Sequence, residues 1–245
     1  MKFSDARVWR YAIAALSNFI EEGVFVVDEK GLSLRAIDSA RINLVEFIMP
    51  RDAFAEYDVK GAGSVAVNLE DLAKVLRNAA RGDELALAAE EGALLITFEG
   101  HGRRTFSLPQ LTMAAEEISE LSINFTAKAS LVPALFNDVI KAVSGMADTI
   151  TLKATKKDEK LIVAARGDVA ESITEFSLDS GSLLEIAVEE DSESTYTIEY
   201  IENVLPVAKI ANKLDLEFGT QVPLKLEFEL PQGGRLRHYV SPRIE

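Results

Sequence analysis

Cysteine is absent from this 245-residue chain, histidine occurs twice and tryptophan once. Without cysteine there is no disulfide framework, no thiolate nucleophile and no cysteine-ligated zinc. The histidines, His101 and His238, stand in neither a His-x-x-x-His nor any other metal-ligand spacing. Gly100-His101-Gly102-Arg103-Arg104 is flanked by glycine but is neither a P-loop nor a dinucleotide fingerprint. Carboxylates are plentiful, yet no pair is singled out by its local sequence for acid–base work, and Ser241 with His238 resembles a triad in residue type alone. A non-catalytic chain without metal or cofactor is expected, with an uncharacterised hydrolase as the alternative of another class. No apolar run is long enough to span a bilayer, and "MKFSDARVWR" lacks the apolar core and cleavage site of a secretory signal. A soluble, intracellular protein with no membrane partner is therefore expected.

Basic residues are scarce as well: 26 Lys and Arg stand against 40 Asp and Glu, for a net charge of -14. Taken whole, that balance opposes nucleic-acid binding, which needs a concentrated cationic surface. The 48% hydrophobic content is enough for a real core.

Residues 5–20 place Val8, Tyr11, Ala12, Ala15, Leu16 and Phe19 at helical spacing behind Ser4 or Asp5 as cap. On that pattern Tyr11 belongs to the core and Trp9 to a surface or interface. "VFVVDEKGLSLRAID" reads as a hairpin, a second helix is predicted over 69–82 behind Asn68, and another hairpin follows it. The second half repeats the order, with predicted helices at 130–143 and 198–213. Asp-Glu-Lys occurs in the first hairpin of each half, at 28–30 and 158–160. Matching order and matching tripeptide imply an internal duplication: an α+β chain of two similar domains, 1–110 and 126–245. The connector between them, 111–125, carries Glu116, Glu117 and Glu120 but also Leu111, Met113, Ile118, Leu121 and Ile123. So many apolar residues argue that it lies against a surface rather than swinging free.

Taken separately, the four predicted helices sum to +2, so the acidity belongs to strands and loops. Acids early and bases late in a helix suit the helix dipole by themselves. If all four helices lined one surface, Arg7, Arg10, Lys74, Arg77, Arg81, Lys141, Lys209 and Lys213 would form a mildly cationic face. It would suit weak, sequence-blind phosphate contact, since no base-reading motif accompanies it.

"LRAIDSARINLVEF" (34–47) bends two apolar strands around the polar corner Asp38-Ser39-Ala40-Arg41. This stretch, "QVPLKLEFEL" and the ending "YVSPRIE" resemble the sliding clamps of replication, the proliferating cell nuclear antigen family, and more closely its archaeal members. Asp38 and Ser39 match the family's corner, Arg41 stands where histidine is common and Ile37 replaces methionine. Ser119 stands where the connector often has proline, and Ile123 where some members have tyrosine.

The resemblance implies the DNA-clamp (processivity) fold: two similar domains per chain, helices lining a ring around duplex DNA and sheets outside. Three chains would close head to tail, as a homotrimer or as a heterotrimer with paralogous clamp subunits; a damage-checkpoint ring is the alternative role. It implies a hydrophobic pocket for peptides of DNA polymerase, the clamp loader (replication factor C), flap endonuclease and DNA ligase. By motif that pocket is lined by Ile37, Ile42, Leu44, Ile118, Leu121, Ile123, Pro223, Tyr239, Pro242 and Ile244, with the connector glutamates placed to attract basic flanks. Subunits would meet through "RRTFSLP" (103–109), with Arg104, Phe106 and Leu108, and "ESITEFSLD" (171–179), with Thr174, Phe176 and Leu178. An archaeal clamp is expected in the cytoplasm, on the nucleoid.

Overall fold

The computed structural model describes residues 1–243, and the chain divides into two compact units. The first comprises Met1–Ser39, Val45–Ser119 and Leu230–Leu236; the second comprises Ala40–Leu44, Glu120–Glu229 and the segment from Arg237. Ile244 lies outside the described residues.

In chain order the N-terminal half runs β1 (Lys2–Phe3), α1 (Ala6–Leu16), β2 (Glu22–Asp28), β3 (Gly31–Ile37), β4 (Asn43–Pro50), β5 (Gly63–Asn68), α2 (Leu69–Leu76), β6 (Glu84–Glu90), β7 (Ala93–Glu99) and β8 (Arg103–Pro109). The C-terminal half runs β9 (Ala127–Leu131), α3 (Pro133–Ser144), β10 (Thr149–Ala154), β11 (Lys160–Arg166), β12 (Glu171–Ser177), β13 (Leu183–Val188), β14 (Ser192–Thr197), α4 (Ile198–Val204), β15 (Lys213–Phe218), β16 (Leu224–Glu229) and β17 (Arg235–Val240).

Sheet order displays the duplication. The first half contains the orders β5-β2-β3-β4 and β1-β6-β7-β8; the second contains β14-β10-β11-β12 and β9-β15-β16-β17, with β13 added beside β9. Both Asp-Glu-Lys hairpins thus occupy equivalent places, β2–β3 and β10–β11. In the first, the Asp28 side chain accepts from the backbone N–H of Lys30 at 2.7 Å and of Gly31 at 3.2 Å, closing the turn. Gly31 has φ +144, and a side chain there would collide with the Met49 carbonyl oxygen. Only glycine fits.

Helix α1 starts at Asp5, whose carboxylate accepts from the Arg7 N–H at 3.0 Å, and it buries Ala6, Val8, Trp9, Ala12, Ile13, Ala15 and Leu16. The expectation for Trp9 and Tyr11 is reversed here. Trp9 is 2% exposed at the centre of the first core, edge-on to Phe47 (5.4 Å between ring centroids) and Phe3 (6.3 Å), while Tyr11 is half-buried under the Arg10 guanidinium. Alanines at 12, 14 and 15 let the apolar stripe be drawn on either side of the helix, and the larger ring wins the core because it buries more area. The second core is built from Phe136 and Ile140 of α3, Leu152, Tyr196, and the inward row Leu214, Leu216 and Phe218 of β15, all fully buried.

All four helices are shorter than expected, the second and fourth by the most. The second ends at Leu76 rather than 82, leaving Arg77 as C-cap and Arg81 beyond it. The fourth ends at Val204, continues as a 3-10 turn over Leu205–Lys209, and gives way to β15 at Lys213. Pro206 explains the break, since it removes an N–H from the ladder. Lys213 is therefore not on a helix. It alternates with the buried leucines of β15, lies on the opposite face of that sheet and pairs with Asp215 at 2.9 Å. The charge expected of it on the helical face has to be subtracted.

That outer face carries a charge ladder. Lys128 of β9 reaches Glu217 of β15 (3.4 Å), Glu217 and Glu227 both pair with Lys225 of β16 (2.9 and 3.2 Å), and Arg237 of β17 pairs with Glu227 (2.6 Å). A groove of about 640 Å³ runs over this face. Burial, the largest influence on Glu227, opposes its ionisation, but Arg237 and Lys225 together outweigh it and hold the carboxyl below its ordinary range.

Two outcomes follow for stability. Trp9→Ala should cost about 3–5 kcal/mol in a urea titration followed by circular dichroism; a loss under about 1 kcal/mol would put the ring back on the surface. Glu227 binds its proton less tightly folded than unfolded, so its stabilisation is complete above the ordinary glutamate pKa of about 4.3 and drains away as pH falls through the lower folded value. The gap in urea midpoint between wild type and Glu227→Gln should be wide near neutrality and close at acid pH; a gap independent of pH would remove Glu227 from that role.

Candidate functional site

In the first unit α1 packs on α2, and their cations differ in what they are free to do. Arg7 forks onto Asp5 through Nε (3.0 Å) and Nη2 (2.7 Å). That hydrogen bond is the main reason the Asp5 carboxyl lies below its usual range. Arg10 donates to the Ala79 carbonyl (3.1 Å), fastening α1 to the turn after α2. Lys74 pairs with Asp71 one turn earlier at 2.7 Å. Arg77 and Arg81 are exposed, and their side chains make no hydrogen bond or ion pair among the described residues. They are this layer's available positive charge.

The second unit packs α3 on α4 and is poorer in cations. Lys141 is exposed, as is Lys209 at the end of the 3-10 turn, but Asp138, Glu199 and Glu202 are exposed on the same helices. Glu202 also accepts from Ser144 at 3.3 Å. With Lys213 on the sheet, five of the eight expected phosphate-facing residues belong to the first unit.

Several of the expected pocket residues meet within the second unit. The carbonyl of Ile42 accepts from the Ser241 N–H (3.1 Å) and hydroxyl (3.3 Å), and His238 Nε2 pairs with Asn43 Oδ1 at 2.9 Å in full burial. These bonds tie the corner 40–44 to the segment that carries Tyr239 and Pro242. Arg243 N–H donates to the Thr195 carbonyl (2.8 Å), and the neighbouring Tyr196 hydroxyl donates to the Val222 carbonyl (2.9 Å), next to Pro223. Burial moves the Tyr196 hydroxyl up to about 12, so it stays a donor. Ile42, Pro223, Tyr239 and Pro242 are left half-buried, as a docking surface requires, whereas Leu44 is 5% exposed and belongs to the core. Leu121 is exposed, and Ile123, like Ile37 and Ile118 of the first unit, is half-buried. The His238–Asn43 pair was invisible in sequence because 195 positions separate its members.

Both expected interface segments are sheet edges: among the described residues β8 pairs only with β7, and β12 only with β11. Strand alternation separates Phe176 from Ile173 on β12, and Leu178 lies in the turn just past that strand. Leu108 and Phe176 turn inward and are buried, and Phe106 lies edge-on to Phe98 at 5.8 Å. Leu178 is 45% exposed and Ile173, which sequence reasoning passed over, 63%. Thr174 is half-buried. Arg104 is committed within its own unit, bound to the Asp83 carboxylate and to the Asn78 carbonyl (3.2 Å).

The family profile described as proliferating cell nuclear antigen, N-terminal domain, matches residues 1–121, and that for the C-terminal domain matches 118–243. The chain is 37% identical to DNA polymerase sliding clamp 3 of Aeropyrum pernix, over 99% of this chain and 97% of that protein. It is 36% identical to the DNA polymerase sliding clamp of Thermofilum pendens, over 99% and 98%. Among solved structures, the PCNA2-PCNA3 complex from Sulfolobus tokodaii superposes with a TM-score of 0.93 at 34% identity, covering 100% of this chain and 99% of the other. PCNA of Thermococcus kodakaraensis gives 0.93 at 30% identity, over 99% of each chain. With both domain profiles matched in order along almost its whole length, the chain belongs to the proliferating cell nuclear antigen family.

Proposed function

We propose that this chain is the protomer of a DNA polymerase sliding clamp, a processivity factor in which three copies, or this chain with paralogous partners, close head to tail around duplex DNA. The observation that carries the reading is the pair of unlike free edges, β8 in one half and β12 in the other. Joining one edge to the other on a neighbouring copy is a heterologous contact, which must close into a ring or run on as a filament. Three such joints would close the ring, with 1–110 and 126–245 as its repeated domains and 111–125 as the connector. The PCNA2-PCNA3 complex among the structural relatives favours keeping the heteromeric form in view.

A closed ring explains why weak cations suffice. Threaded DNA cannot leave sideways, so Arg77, Arg81, Arg10, Lys74, Lys141 and Lys209 need only soften the passage of phosphates. Tight binding would oppose sliding. The protein would do no chemistry itself. It would hold polymerase, clamp loader, flap endonuclease and ligase through peptides docked on Ile42, Pro223, Tyr239 and Pro242 together with Ile37, Ile118, Leu121, Ile123 and Ile244. Each buried apolar anchor offers roughly 1.5–3 kcal/mol, much of which is lost in ordering the peptide. Affinity near micromolar, about -8 kcal/mol, is expected, and it suits partners that must exchange. No helix among the described residues is long and apolar enough to cross a membrane. The work would be done in the cytoplasm, on the nucleoid.

Light scattering at low micromolar concentration should give three times the 26.8 kDa chain mass. Leu178→Glu, placed on an exposed side chain so that the fold is spared, should give monomers. A trimer unchanged by that substitution would refute the interface assignment, and a wild-type monomer would mean that companion chains are required. The wild-type protein should also bind short linear duplex DNA only feebly and lose that binding as salt is added; tight, salt-resistant binding would contradict the sliding mechanism.

A further inference from the structure

Between Leu111, whose N–H donates to the Ala66 carbonyl (2.8 Å), and Thr126, whose N–H donates to the Phe218 carbonyl (3.0 Å), the connector makes one hydrogen bond to the rest of the chain among the described residues. Arg35 Nη2 donates to the Ser119 carbonyl at 2.8 Å. The same guanidinium is held from its other end by Glu46, Nη1 to Oε1 at 2.9 Å, across the β3–β4 pair. Both side chains are largely withdrawn from water, 24% exposed for Arg35 and 12% for Glu46. Arg35 Nε is buried and has no hydrogen-bond partner.

We propose that Arg35, oriented by Glu46, is the latch that positions the connector for partner-peptide docking; this rests on the clamp reading above. The Glu46 bond fixes the guanidinium plane, so reaching Ser119 needs no further ordering of a long side chain. The Ser119 bond itself is exposed to water, where a hydrogen bond contributes little net stability because water competes for both groups. The result is a tether near balance: strong enough to preset the connector, weak enough to yield when partners exchange. Ser119 serves only through its backbone carbonyl, so the contact does not depend on its side chain.

A peptide that docks on a preset connector avoids the loss of freedom that a loose one would suffer on binding. Removing the latch should therefore weaken docking without unfolding the protein. The absence of cysteine makes the local test clean, because Ala115→Cys, at an exposed connector position, provides the only labelling site. With a nitroxide there, Arg35→Ala should sharpen the electron paramagnetic resonance lines, and Arg35→Lys, which can serve Ser119 or Glu46 but not both, should fall between.

A fluorescein-labelled synthetic peptide copied from the clamp-binding tail of the same organism's replicative DNA polymerase should bind Arg35→Ala about three- to tenfold more weakly than wild type. Trimer mass should be unchanged, and circular dichroism at the assay temperature should show both variants folded. Unaltered label mobility with unaltered peptide affinity would overturn the latch, as would tighter binding. Failure of the wild-type protein to bind the peptide would overturn the docking function, while the label would still decide whether Arg35 restrains the connector.

Discussion

An antiparallel sheet ends in two rows of backbone N–H and C=O groups, and those rows need partners or protection. The repeated sheets β5-β2-β3-β4 and β14-β10-β11-β12, β1-β6-β7-β8 and β9-β15-β16-β17, meet that need differently. Beside β9 the second half adds the full strand β13, where the first half has only a bridge from Glu56 to Lys2 of the two-residue β1. Where β8 and β12 end their sheets, their outer edges pair with no strand among the described residues. Duplication alone would have produced two equal halves. The departures from equality sit at the edges, which is where an assembling protein has to differ from a self-sufficient one.

The charges obey a similar division between what is settled inside the chain and what is left open. On the outer face of the second unit, Lys128, Lys225 and Arg237 each meet a carboxylate, and Lys213 meets Asp215. These groups have little left to offer a ligand, even though the 640 Å³ groove runs over them. On the helical layer of the first unit, Arg7 and Lys74 are neutralised by acids one turn away, while Arg77 and Arg81 are not. Net charge could not reveal this, since -14 describes the whole chain and a docking surface is decided by which few cations lack partners.

Local grammar made the architecture legible. Asp28 and Gly31 specify the first turn by mechanism, one by bonding two backbone amides and the other by tolerating positive φ, whereas the second copy of the tripeptide sits in a longer loop where Asp158 accepts from the Thr155 hydroxyl at 2.6 Å. Periodicity was weaker wherever alanine diluted it. Val8, Tyr11, Ala12 and Ala15 make as regular a stripe as Trp9, Ala12, Ile13 and Leu16, and only the packing of Trp9 against Phe3 and Phe47 decides between them. Lys213 was misplaced for a different reason: the pattern over 198–213 stays apolar-rich through the 3-10 turn, so composition carried the helix past Pro206, where geometry did not. Least legible were the bonds between distant positions. Asn43 with His238 and Arg35 with Ser119 each join a strand to a segment far along the chain.

Those two bonds sit on either side of the corner quoted in the sequence, and they differ in kind. His238 and Asn43 are fully enclosed, and truncating either would take a hydrogen bond out of the interior, so this joint resists change. Arg35 keeps Glu46 when Ser119 departs, and the exposed Ser119 carbonyl turns to water, so that joint gives way with little penalty. A rigid joint holds Ile42 beside Tyr239 and Pro242, and a yielding one holds the connector. The docking proposed above, specific yet short-lived, calls for a joint of each kind, because contacts that all move lose selectivity and contacts that cannot open release slowly.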